Sequence, residues 1–140
     1  MTISYINTDL VLVLVSPHDL TPLAAALEIM GISHIDLRKE KDGYWYATLE
    51  TLTNHAEPEA ALTEMLDVIE TLSAEVYNLW SICAKREFNI GYQCGSKPFS
   101  FHQTVTNSTL SRIANVNSEI TITLYGSAIA RRTPPAKTLI

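Results

Sequence analysis

The chain is short of the residues that chemistry usually needs. It has two cysteines, Cys83 and Cys94, and four histidines, His18, His34, His55 and His102, with no Cys-x-x-Cys pair and no H-x-H or H-x-x-x-H spacing. A metal site would therefore need groups brought together from distant parts of the chain. Five glycines in 140 residues leave little material for a phosphate cradle, and neither a G-x-S-x-G elbow nor a dinucleotide fingerprint is present. No cofactor is expected. Long apolar runs are missing too: "LVLVLV" (10–15) is stopped by Ser16-Pro17, far short of the roughly eighteen residues of a membrane span. With no basic n-region or small-residue cleavage site at the start, the expected location is the cytoplasm, where two cysteines are expected as thiols.

Positive charge is the scarcest feature. From Gly43 to Ala84 there is not one Lys or Arg against seven acids, Glu50, Glu57, Glu59, Glu64, Asp67, Glu70 and Glu75. The net charge is −5, and Arg131, Arg132 and Lys137 carry +3 within an acid-free stretch from 128 to 140, so residues 1–127 carry −8. An acidic body excludes nucleic-acid binding, whose affinity comes from neutralising phosphate. Composition and length suit one domain over 1–127, with "RRTPPAK" opening a basic, proline-containing tail over 128–140 that the fold does not need.

What is there reads as α+β. Residues 8–16 form a strand, apolar at every position from Leu10 to Val15, as expected of a central strand covered on both faces or standing at a protein contact. Thr21 as N-cap, Pro22 at the first position and Gly31 past the end predict a helix over 22–30. In 34–51, Asp42-Gly43 marks a hairpin. A three-residue loop, Lys41-Asp42-Gly43, pairs Lys39 with Trp45, Leu37 with Ala47 and Ile35 with Leu49 and keeps one apolar face. The mixed charges of Asp36, Arg38, Lys39, Glu40, Lys41 and Asp42 mark a solvated sheet edge.

Residues 58–83 carry a helical stripe of Leu62, Met65, Leu66, Ile69, Leu72, Val76, Leu79, Trp80 and Cys83, with a kink expected at Thr71-Leu72-Ser73. Strand 86–94 is expected to turn through 95–98 into a strand at 99–102, pairing Cys94 with Phe99 and Tyr92 with Phe101. His102 then lies across from Gly91, on the face opposite Cys94, so the two do not form a thiol–imidazole site, and both thiols are expected to be packing groups. A helix over 107–115 should present Leu110, Ile113 and Ala114 inward. A last strand, 118–126, alternates Ile120, Ile122 and Leu124 with Thr121, Thr123 and Tyr125. The expected architecture is a single two-layer domain in β-α-β-β-α-β-β-α-β order, with a mostly antiparallel sheet and helices largely on one face.

The first strand with "DLTPLAAALEIMG", the hairpin "YWYATLE", the long helix, "FNIGY" and the closing "FSFHQTVTNSTLSRIANVNSEITITLYG" resemble a bacterial family, domain of unknown function 4279, from about Tyr5 to Gly126. The resemblance implies a compact α+β domain and carries over no catalytic residue. Thr121 and Thr123 stand where the family has an acidic residue in its last strand.

Three functional readings follow. The first is a non-enzymatic binding protein, such as an immunity protein that neutralises a basic toxin domain through an acidic helix face of Glu57, Glu64, Asp67, Glu70 and Glu75 with no lysine interspersed. The second is a small-molecule-binding or regulatory domain with a pocket near Trp45, Tyr46 and Trp80. A third, weaker reading is an enzyme assembled from His102, Glu87 and Tyr92. The oligomeric state is left open by the sequence, which allows a dimer.

Overall fold

The structure is a computed structural model that describes residues 8–93 and 102–125. Nine elements follow in the order β1 (Thr8–Ser16), α1 (Thr21–Ile29), β2 (Ile32–Lys39), β3 (Trp45–Thr51), α2 (Pro58–Glu70), α3 (Ala74–Ser81), β4 (Lys85–Gln93), α4 (Asn107–Asn115) and β5 (Glu119–Tyr125). The expectations for Cys94, the 95–98 turn and the 128–140 tail fall outside the described residues. No helix among the described residues is long and apolar enough to cross a membrane.

The strands form one sheet in the order β2-β3-β1-β4-β5, antiparallel throughout except for the parallel β4–β5 pair. The Leu10–Val15 run thus lies on the central strand. Its even positions Leu10, Leu12 and Leu14 are buried with Ala47 and Leu49 of β3 and Phe88 and Ile90 of β4, in one cluster with residues from all four helices. Its odd positions Val11, Val13 and Val15 face the other side, where they are half-buried beside Thr48, Glu87 and Asn89. The domain is α+β, with its helices on one face of a mostly antiparallel sheet.

Local chemistry explains most boundaries. The cap of α1 is shifted by one residue from expectation: Thr21 lies inside the helix and donates its N–H to the Asp19 carboxylate at 2.8 Å, while Gly31 ends it at φ +96. In the β2–β3 hairpin Glu40 N–H reaches Tyr44 O at 2.9 Å and Gly43 adopts φ +89, which is the three-residue loop with a left-handed glycine. Lys39 pairs with Trp45 and Leu37 with Ala47 as that loop requires. The expected Ile35–Leu49 pair is not formed. A register shift between His34 and Asp36 sets His34 against Leu49 and turns Ile35 out to solvent.

The single helix expected over 58–83 is two helices. Thr71 Oγ1 donates to Val68 O at 2.9 Å, and Ser73 Oγ accepts Val76 N–H at 3.3 Å, so the hydroxyls at the expected kink close one helix and cap the next. The expected pairing of Tyr92 with Phe101 is excluded by the ladder, since Tyr92 pairs with Thr8 on one side and Leu124 on the other, and the rest of that expectation, over 99–101, lies outside the described residues. Helix α4 spans the expected 107–115 and is capped by Thr106, which accepts Thr109 N–H, but its buried positions are Thr109 and Ile113, with Leu110 and Ala114 outside.

Candidate binding surface

Helix α2 buries Ala61, Leu62, Met65, Leu66, Val68 and Ile69 against the sheet and turns its carboxylates outward. Glu57, Asp67, Glu70 and Glu75 are exposed and Glu64 half-buried. The periodicity therefore places the acidic residues on the solvent side of the helix layer, as expected.

The expectation that this face lacks compensating charge is corrected by α4. Arg112 Nε donates to Glu70 at 2.9 Å, and its Nη2 donates to Glu70 at 2.8 Å and to Asp67 at 2.7 Å. Held first by Glu70 and then by Asp67, the guanidinium is pushed above even its ordinary pKa. This counter-ion lies 42 and 45 residues away in sequence, beyond the reach of any scan along one helix. Glu64 is held by His55, whose Nε2 lies 2.6 Å from Oε1. Asp67 nonetheless keeps 72% of its side chain in solvent.

Glu59 has a different task. Its carboxylate accepts Thr106 N–H at 3.0 Å, Thr106 Oγ1 at 3.0 Å and the buried Thr109 Oγ1 at 2.6 Å. The Thr109 hydroxyl first, then the Thr106 backbone and side chain, hold its pKa below the ordinary glutamate value against the opposing effect of burial. An acid on α2 is thereby the anchor of the first turn of α4.

The residues of the second reading are not brought together. Trp80 is 1% exposed and donates its indole N–H to Val116 O at 3.0 Å, so it is a satisfied core residue. Trp45 and Tyr46, as successive strand residues, point to opposite faces of the sheet. Trp45 packs against the core, whereas Tyr46 donates its hydroxyl to Asp42 at 2.6 Å and lies under the Arg38 guanidinium, 5.2 Å from its ring centre. An open hollow of about 520 Å³ is lined by Arg38, Glu40, Lys41, Asp42 and Tyr46, away from either tryptophan. A second, of about 580 Å³, is lined by Glu70, Leu72, Ala74, Tyr77, Asn115 and Val116.

The enzyme reading separates in the same way. Glu87 and Tyr92 alternate out of phase on β4: Glu87 lies opposite Val13 on the far face, and Tyr92 packs against the core. Glu87 is occupied by the Thr121 hydroxyl and by Lys85 Nζ at 3.6 Å, and His102 is exposed. Cys83 is buried, donates to Leu79 O at 3.4 Å, and has its thiol pKa pushed up to about 11 by that burial. Among the described residues no group of three or more His, Cys, Asp or Glu could hold a metal ion.

Sequence reasoning missed Arg86. From β4 it donates to Cys83 O at 2.6 Å, Trp80 O at 3.1 Å and Ser81 O at 3.4 Å, and through Nε to Asn117 O at 2.8 Å. It thus collects carbonyls at the end of α3, where Trp80 O also accepts Cys83 N–H at 3.2 Å, and of the turn after α4. The available signal was an arginine three residues after the expected end of the helical stripe at Cys83, where a cation favours the helix dipole. Comparisons of the chain with protein-family models, with curated proteins and with solved structures find no match in any of the three.

Proposed function

We propose that the chain is a non-enzymatic binding protein that docks a basic protein against the outer face of α2 and α3, in the manner of an immunity protein capping a basic toxin domain in the cytoplasm. The observation that carries this reading is the outward row of Glu57, Glu64, Asp67, Glu70 and Glu75 along two consecutive helices, answered among the described residues by the guanidinium of Arg112 and, at Glu64, by the imidazole of His55. Among the described residues, five carboxylates against one guanidinium and one imidazole leave a net negative field that accelerates encounter with a cationic surface and repels nucleic acid. Arg112 adds order to that field, since it fixes Asp67 and Glu70 side by side and lowers the entropy a partner's cations would otherwise have to remove. The resemblance to domain of unknown function 4279, which brings no catalytic residue, agrees with a binding role.

Reversing Glu57 and Glu75, both exposed, to lysine tests the reading without disturbing the Arg112 cluster. Tagged wild-type and Glu57→Lys/Glu75→Lys proteins are exposed to native lysate at low and at physiological salt, and captured proteins are identified by mass spectrometry. The expected outcome is a cationic partner held by the wild type at low salt and lost from the double variant, with association at least tenfold slower. A captured set that is unchanged by the substitutions, or that is acidic, would rule the helix face out.

A further inference from the structure

We propose that β5 is an assembly edge, pairing antiparallel with β5 of a second copy of this chain about a two-fold axis at Ile122. The sheet has two terminal strands, β2 and β5, and they are built differently. β2 carries Asp36, Arg38 and Lys39 and a register break that turns Ile35 outward, all features that discourage further pairing. β5 reads "EITITLY": seven continuous residues with no proline, no lysine and no register break, its only charge being Glu119 at the very start. Among the described residues β5 pairs with β4 alone.

The two faces of β5 are also unequal. Thr121 and Thr123 are committed within the sheet, donating their hydroxyls to Glu87 and Asn89. On the other face Ile122 and Leu124 stand beside Ile90 and Tyr92 in the ladder and remain 61% and 66% exposed. This is the face on which the helices pack, but they cover it only as far as Ile120, which is half-buried.

The register selects the occupant. Antiparallel pairing of β5 with itself about Ile122 sets Ile122 against Ile122, Ile120 against Leu124, Thr121 against Thr123 and Glu119 against Tyr125. Apolar meets apolar on one face and hydroxyl meets hydroxyl on the other, and no carboxylate opposes its own copy. A one-residue slip in either direction would set threonine against isoleucine across faces and lose the match. The product is a continuous ten-stranded sheet whose Ile120, Ile122 and Leu124 side chains form one apolar seam between the two helix layers. The assembly does not depend on the acidic face of α2 and α3.

Sedimentation velocity of the full chain over a range from micromolar to several hundred micromolar tests this. The expected mass rises toward twice the 15.5 kDa of one chain. Ile122→Lys places two ammonium groups on the axis and should weaken dimerisation at least tenfold, with the far-ultraviolet circular dichroism unchanged because the side chain is already in solvent. Ile122→Glu should behave alike, and an equimolar mixture of the two variants should regain the dimer. A wild-type chain that stays monomeric throughout, a lysine variant that dimerises as well as wild type, or a mixture that regains nothing would each overturn the proposal. The first of these would mean that another segment of the chain, or a different partner, covers β5.

Discussion

Replacing Glu59 with alanine should cost more stability than any other exposed-side acid of α2, because its carboxylate is the only one that satisfies a buried hydroxyl. It accepts three hydrogen bonds, from Thr106 N–H, Thr106 Oγ1 and Thr109 Oγ1. A hydrogen bond to a charged group contributes about 1.5–3 kcal/mol, and three bonds sharing one carboxylate overlap, so a total of about 2–3 kcal/mol is expected. Alanine returns a few tenths of a kcal/mol in helix propensity. Thr109→Val removes one bond and leaves the Thr106 pair, at about 1 kcal/mol. The double variant should fall short of the sum by at least 0.5 kcal/mol on the order of direct coupling between neighbours.

Urea unfolding of the four proteins reads these values. The pH dependence supplies an independent check through Glu59→Gln, which keeps the shape and removes the charge. The folded-state pKa of Glu59 is lowered, so its contribution is fully present above the unfolded value and is lost as pH falls through the folded one. The gap between wild type and Glu59→Gln should therefore be flat above about pH 5 and close progressively in more acid solution. A gap that is absent at neutral pH, or a double variant whose losses simply add, would show that α4 does not rest on this carboxylate.

Two further outcomes follow from buried contacts. Cys83 should resist alkylation in the folded protein, read peptide by peptide with mass spectrometry, and Cys83→Ala should cost roughly 1 kcal/mol, as expected for one methylene-sized buried group; rapid labelling would contradict its burial. Arg86→Ala should lower stability by about 1.5–3 kcal/mol in denaturant titration, since it strands carbonyls at the end of α3, and Arg86→Lys should not restore it because one ammonium cannot span Cys83, Trp80 and Asn117.

The parts of this fold legible in the sequence are those governed by neighbours along the chain. Gly43 and its loop set the register of Lys39 with Trp45 and Leu37 with Ala47, and the hydroxyls of Thr71 and Ser73 divide α2 from α3 where short polar side chains compete for the backbone. What failed was governed by partners far away. The expected Tyr92–Phe101 pairing fails because both edges of β4 are taken, by strands that begin at Thr8 and Glu119. The inward face of α4 was misjudged because hydrophobic counting favours Leu110, while the carboxylate of Glu59 draws Thr109 inside. The acidic face was legible as a row of residues, and Arg112 as its counter-ion was not.

The last strand illustrates why a residue type cannot be carried onto a position without its cross-strand neighbour. In β5 the hydroxyls of Thr121 and Thr123 face the polar groups of β4. Across the ladder Glu87 is buried at 7% exposure, facing the Thr121 hydroxyl and Lys85. Glu119 already stands opposite Glu87 in the ladder but is exposed, whereas a carboxylate at 121 would meet Glu87 where water is largely excluded, and two like charges so placed cannot both remain ionised without a large penalty. Threonine removes the conflict by donating instead of repelling, and Thr123 does the same for Asn89. The acid is thus kept on β4 and its hydrogen-bond donor on β5, which leaves β5 with one charge in seven residues. That near-neutrality is also what frees the strand's outer edge to meet a second copy of itself, so the polar pairing inside the sheet and the apolar seam at its rim are consequences of one choice of residues.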